Sequence, residues 1–154
     1  MIFKFFKKKK EEPESNILND IFTDIEISCS VLLVEAALMD EKLEKKEERI
    51  IKNILSQNFK LEEDKVGRLF KKAQDICKNS NDLVQHTKII KNNWDLEKRV
   101  KFLEMMWKVA LIDEDLDSYE DMIIRRVAGL IYVSDKDRSK ARKNAKKSIK
   151  KEGS

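Results

Sequence analysis

The chain carries three acidic residues at the spacing i, i+4, i+7 in two places, one in each half. They are Asp40, Glu44, Glu47, Asp113, Asp117 and Glu120. Carboxylates are the ligands that hard cations such as Ca²⁺ and Mg²⁺ prefer. Carboxylates near a helix N-terminus also satisfy free backbone N–H groups. The spacing alone is compatible with a metal site and with plain helix capping, so both interpretations remain open.

The acidic groups do not form EF-hand loops. With Asp113 as the first loop position, the glycine required at position 6 is Ser118, and the glutamate required at position 12 is Ile124. From Asp40 the same positions hold Lys45 and Ile51. A metal site in these segments would therefore need a different geometry.

The N-terminus combines aromatic and basic residues that could contact an anionic membrane. The contact residues would be Phe3, Phe5, Phe6, Lys7, Lys8, Lys9 and Lys10. Aromatic rings enter the interface of a bilayer, and lysines are attracted by acidic lipids. The alternative is a soluble, disordered start of the chain. Residues 134–154 are also basic and residues 11–133 are net acidic, so an acidic body has two basic ends.

Residues for catalysis are scarce. His86 is the single histidine, and no Ser-His-Asp, Cys-His or HExxH pattern occurs. Cys29 and Cys77 lie in apolar helical stretches without metal-ligand spacing, which predicts buried thiols in a reducing compartment. We therefore predict a protein that is not an enzyme. The longest uncharged runs have eight residues, which is too short for a membrane-spanning helix. We therefore expect a cytoplasmic protein, and the alternative is peripheral attachment to the inner membrane surface.

Low glycine and proline contents indicate an all-α fold. The chain has 3 Gly and 1 Pro among 154 residues, while 40% of its residues are charged. Apolar periodicity predicts seven helices. We place them at 16–39, 44–57, 62–78, around 83–90, 95–112, from 117 or 118, and from Ser134 to about 150. Ser15 and Ser134 are the expected caps of the first and seventh helices, and Ser80 or Asp82 is the expected cap of the fourth.

An internal repeat relates the two halves of the chain. Residues 35–55 of segment 34–55 align with segment 108–128 at an offset of 73, matching apolar and acidic positions together. After a gap of one residue, Leu61 aligns with Val133, so a third helix follows in both halves. The repeat predicts two three-helix halves related by a pseudo-twofold axis and joined by the fourth helix, each covering the apolar face of the other.

The second copy, 103–142, resembles the TerB-like family, which is associated with tellurite resistance and related to the N-terminal helical module of the co-chaperone DjlA. The family pattern is a helix ending Ala-x-x-Asp-Gly, an apolar residue, and then Asp/Ser-x-x-Glu. Its second copy here is Ala110, Asp113, Leu116, Asp117 and Glu120, and its first is Ala37, Asp40, Leu43, Glu44 and Glu47. Glu41 and Glu114 replace the family glycine.

The resemblance implies an accessory protein of a stress response related to tellurite or metal. It also implies an acidic surface that holds a divalent cation, Ca²⁺ or Mg²⁺, through the six acidic residues above. An adaptor for protein interaction, at a membrane surface or of the co-chaperone kind, is the alternative, with an unidentified protein partner. Nucleic acid is the less favoured partner, because no helix-turn-helix glycine precedes the basic C-terminal helix. We expect a tail at 1–14, the TerB-like domain at 15–142 and a basic tail at 143–154.

Overall fold

The computed structural model describes residues 21–37, 43–79, 82–112 and 118–152, except for the side chains of 118–121 and 152. These residues form seven helices and no strand, which confirms the predicted all-α fold. The helices are α1 (Asp24–Ala37), α2 (Lys45–Phe59), α3 (Glu63–Asn79), α4 (Leu83–Asn93), α5 (Leu96–Leu111), α6 (Ser118–Leu130) and α7 (Asp135–Glu152).

Helix α1 lies at the centre of the bundle. It packs on α3 and α4 most extensively, and it also contacts α2, α5 and α6. Every residue from Ser28 to Val34 is buried, as expected of a helix with apolar side chains all around. Its two buried serines are satisfied: the hydroxyl of Ser30 donates to the carbonyl of Glu26, and Ser28 contacts His86.

A capping box begins α1 later than the apolar pattern predicts. The hydroxyl of Thr23 accepts from the backbone N–H of Glu26, and a carboxylate oxygen of Glu26 accepts from the N–H of Thr23. Residues 21–23 are not helical, so the predicted continuous helix over 16–39 is wrong at this point. The Thr23 hydroxyl takes the N–H of Glu26 in place of a helical carbonyl, so the helix begins after Thr23. The predicted cap Ser15 lies outside the described residues.

The helix bounds follow the sequence repeat. Helices α2 and α6 begin at Lys45 and Ser118, which reproduces the offset of 73. Helices α3 and α7 begin at Glu63 and Asp135, an offset of 72, as the one-residue gap requires. In each half the first helix packs on the third, α1 on α3 and α5 on α7.

Two of the predicted helix caps are confirmed. The side chain of Asp82, one of the two caps predicted for the fourth helix, accepts from the backbone N–H of Gln85 at the start of α4. The hydroxyl of Ser134 accepts from the N–H of Asp137 at the start of α7. Each cap satisfies an N–H group that has no partner within its own helix.

The repeat extends to backbone strain at the end of the second helix of each half. Lys60 and Tyr132, at equivalent positions, have positive φ values of 52° and 58°. In the second half the N–H of Val133 donates to Ala128 and that of Tyr132 to Gly129, which is a Schellman motif. Neither residue is glycine, although glycine adopts this left-handed conformation without steric cost. No local sequence signal marks these two positions, because the usual signal is a glycine and neither position has one.

Helix α7 packs on α5 through Ala141 and Ala145, both fully buried. Between them, the Arg142 guanidinium lies 5.2 Å from the ring centroid of Trp107, which is buried on α5. The helix continues unbroken past residue 142, the predicted end of the domain, because Ala145 also belongs to the interface.

We predict that Lys60→Gly stabilises the fold. Glycine removes the clash between Cβ and the backbone at positive φ, and part of that gain is lost to the larger entropy of glycine in the unfolded chain. The free energy of unfolding, measured by urea titration, should rise by about 0.5 kcal/mol. Lys60→Ala is the control, because it removes the same side chain but keeps the strain. A loss of stability in the glycine variant would contradict the prediction.

Candidate functional site

We refer to Asp40, Glu44 and Glu47 as the first acidic corner and to Asp113, Asp117 and Glu120 as the second. In the first corner, Glu44 directly precedes α2. Glu44 is exposed, whereas Glu47, one turn into the helix, is only 5% exposed. A carboxylate oxygen of Glu47 accepts from the backbone N–H of Glu44 at 2.9 Å. Glu47 therefore caps its own helix, which is one of the two roles that the sequence left open for the acidic residues.

Four of the six predicted metal ligands lie outside the residues or side chains that the structure describes. Asp40, Asp113 and Asp117 lie outside the described residues, and Glu120 belongs to α6 but its side chain is not described. The same holds for the predicted membrane contacts Phe3, Phe5, Phe6 and Lys7–Lys10. Within the described part of the chain, no three His, Cys, Asp or Glu side chains are grouped as a metal site would require.

A basic groove missed by the sequence analysis lies between α2, the start of α3 and the residue that follows α5, and it has a volume of about 760 Å³. Its lining includes Lys46, Arg49 and Lys52 from α2, together with the apolar side chains of Val66 and Ile112. The three cations recur at the helical period in the sequence of α2, but only the packing of α5 on α2 shows that Ile112 lines the same groove.

His86 and Ser28 form a buried polar pair that resembles part of a catalytic triad but cannot act as one. The Ser28 hydroxyl oxygen lies 3.0 Å from Nδ1 of His86. Ser28 is 1% exposed on the central helix, so no substrate reaches its hydroxyl. The nearby acid Asp82 caps α4 by accepting from the N–H of Gln85. The pair satisfies two polar groups inside the core.

The two thiols are poor nucleophiles. Cys29 and Cys77 are buried thiols that form no disulfide with each other, as predicted. Burial raises the pKa of both, and the negative charge of Glu35 raises the pKa of Cys77 further. Because the thiolate is the reactive form, these pKa shifts disfavour nucleophilic chemistry at both positions. Burial also raises the pKa of Glu35, partly offset by its hydrogen bond with Cys77.

No helix in the described segments has both the length and the apolar character needed to cross a bilayer.

We predict that Glu47 matters for stability without metal. Glu47→Ala removes the acceptor of the Glu44 N–H, so the free energy of unfolding in metal-free buffer should fall by about 1 kcal/mol. Glu48→Ala is the matched control: this neighbour lies in the same helical turn and pairs only at the surface with Lys52. Urea titration with chelator checks both variants. Equal effects of the two substitutions would refute the capping role.

We also predict a loss of stability at mildly acidic pH that depends on His86. Burial lowers the pKa of His86, and the charge of Asp82 opposes this only in part. The unfolded chain therefore takes up the proton first as pH falls below about 6.5, and stability is lost from there through the lower pKa of the folded state. His86→Gln should show a smaller loss of unfolding free energy between pH 7.5 and 5.5. Identical losses would contradict the prediction, because all other titrating groups are shared.

Comparison with known proteins agrees with the all-α fold. No curated protein matches the chain in sequence. Among solved structures, the protein of unknown function PG1108 from Porphyromonas gingivalis W83 has a TM-score of 0.57. It is 17% identical, and the alignment covers 82% of this chain and 97% of that one, which shows a shared fold. The family model described as tellurite resistance protein TerB matches residues 26–143, from the first turn of α1 into α7. This chain belongs to the TerB family.

Proposed function

We propose that this protein is a non-catalytic accessory module of a stress response related to tellurite or metal, and that it binds a divalent cation at its acidic corners. Membership of the TerB family supports the general role. The observation that carries the metal proposal is the structural equivalence of the halves. Because α2 and α6 begin at equivalent positions of the repeat, the segments that hold Asp40 and Asp113 precede the same helix of each half.

The second corner is the better candidate for the cation. In the first corner a carboxylate oxygen of Glu47 is already occupied by the N–H of Glu44, and Lys42, Lys45 and Lys46 compete for the carboxylates. The second segment, DEDLDSYED, has no lysine between Asp113 and Asp121. Oxygen ligands without a competing cation suit Ca²⁺ or Mg²⁺. Binding should be weak, since Glu41 and Glu114 stand where the family has its turn glycine.

We predict that millimolar Ca²⁺ or Mg²⁺ raises the melting temperature, because a ligand that binds only the folded state stabilises it. Asp113→Asn should remove most of this rise and leave the metal-free protein folded. Asp40→Asn is the matched control at the equivalent corner and should leave most of the rise intact. Thermal unfolding with chelator and with each cation measures all three proteins.

Two results would refute this assignment. If metal changes no melting temperature and Asp113→Asn instead lowers metal-free stability by about 0.5–2 kcal/mol, the carboxylate is a cap. If only Asp40→Asn removes the metal effect, the site lies at the first corner and not at the second.

A further inference from the structure

Five lysines line one face of α7. Lys136, Lys140, Lys143, Lys147 and Lys150 follow the spacing i, i+4, i+7, i+11, i+14, and all five are exposed. At 1.5 Å per residue this face is about 21 Å long. It lies opposite Ala141 and Ala145, which hold the helix on α5. We refer to these five residues as the lysine face.

The fold does not require the lysine face, because the other half does without it. Helix α3 is the equivalent of α7, and the equivalent positions are also exposed there. They hold Asp64, Arg68, Lys71, Asp75 and Lys78. Two of the five α3 positions hold acids, whereas all five α7 positions hold cations, which repel one another at helical spacing. The unfavourable arrangement on α7 therefore points to a role in binding and not in folding.

Lysine and arginine are separated on α7. The two arginines face inward: Arg138 pairs with Asp135, and Arg142 lies over the ring of Trp107. The lysine face itself contains no arginine. Arginine provides planar, bidentate hydrogen bonds, while lysine is a hydrated point charge without directional demand. The lysine face therefore suits a dense field of negative charge better than a ligand of defined shape.

We propose that the lysine face docks on the flat surface of an anionic lipid bilayer. The five charges lie on one face of a single helix, so all of them can contact a flat surface at once. Each charge adds electrostatic attraction to an anionic bilayer. A helix in a nucleic-acid groove instead has phosphates on both sides. About 100° to either side of Lys136, α7 carries Asp135 and Asp137. The apolar side of α7 is buried on α5, so the contact is peripheral and electrostatic.

The repeat supplies a matched pair of variants for the test. Lys143→Glu with Lys150→Glu changes the lysine face, and Lys71→Glu with Lys78→Glu makes the same change at the equivalent exposed positions of α3. Both full-length proteins differ from the wild type by the same net charge. Co-sedimentation with mixed vesicles of phosphatidylcholine and phosphatidylserine measures binding, and pure phosphatidylcholine vesicles are the reference.

The wild type should bind the anionic vesicles, with affinity falling as salt rises, and should not bind the neutral ones. The α7 variant should bind at least tenfold more weakly, whereas the α3 variant should stay within about threefold of the wild type. Circular dichroism checks that both variants fold. If the glutamates disturb α7, Lys143→Gln with Lys150→Gln replaces them, with Lys71→Gln and Lys78→Gln as the control.

Four outcomes would overturn the proposal. Equal losses in the α3 and α7 variants would mean that net charge alone acts. Vesicle binding that neither variant weakens, or no binding by the wild type, would remove the lysine face from membrane attachment. Loss of duplex DNA binding in the α7 variant, with vesicle binding unchanged, would assign the face to nucleic acid. None of these results depends on divalent metal, so the two proposals can fail separately.

Discussion

Burial of α1 on nearly all sides is the constraint from which the bundle follows. A helix that exposes almost nothing must be covered by several neighbours, and α2 to α6 all contribute. Its polar atoms must also be satisfied inside the core, so the hydroxyl of Ser30 turns back to its own helix and Ser28 meets His86 from α4. The linking helix α4 is therefore fixed by a polar contact as well as by apolar packing.

The sequence predicted the helices, the caps at Asp82 and Ser134, and the repeat, because these features depend on periodicity and on side chains that cap locally. It failed where the local signal was weak or ambiguous. Thr23 and Glu26 form a capping box inside an apolar pattern that continues past it, so the pattern suggested one longer helix. Lys60 and Tyr132 adopt left-handed backbone without the glycine that usually marks it. Local hydrogen bonds stabilise the start of α1 at Thr23 and the left-handed conformation of Tyr132.

The candidate sites were also visible in the sequence only in part. Two acidic groups at helical spacing were visible in the sequence, yet the burial of Glu47 and its hydrogen bond to Glu44 were not, because they depend on where α2 meets the core. The lysine face was visible only as a basic end. Its arrangement required knowledge of which side of α7 packs on α5, since lysines spread along a sequence do not by themselves define a surface. The basic groove beside Ile112 needed the contact between α2 and α5.

Equivalent positions in the two halves allow the two copies of the repeat to be compared. The left-handed residue after the second helix is present in both copies. The central pairs have diverged: Val34 and Phe70 in one copy correspond to Trp107 and Arg142 in the other. A cation enclosed over an indole ring is a costly replacement for an aliphatic–aromatic pair unless its neighbours change with it. Exchange of single residues between the copies should therefore be poorly tolerated, and the halves have become specialised partners instead of interchangeable modules.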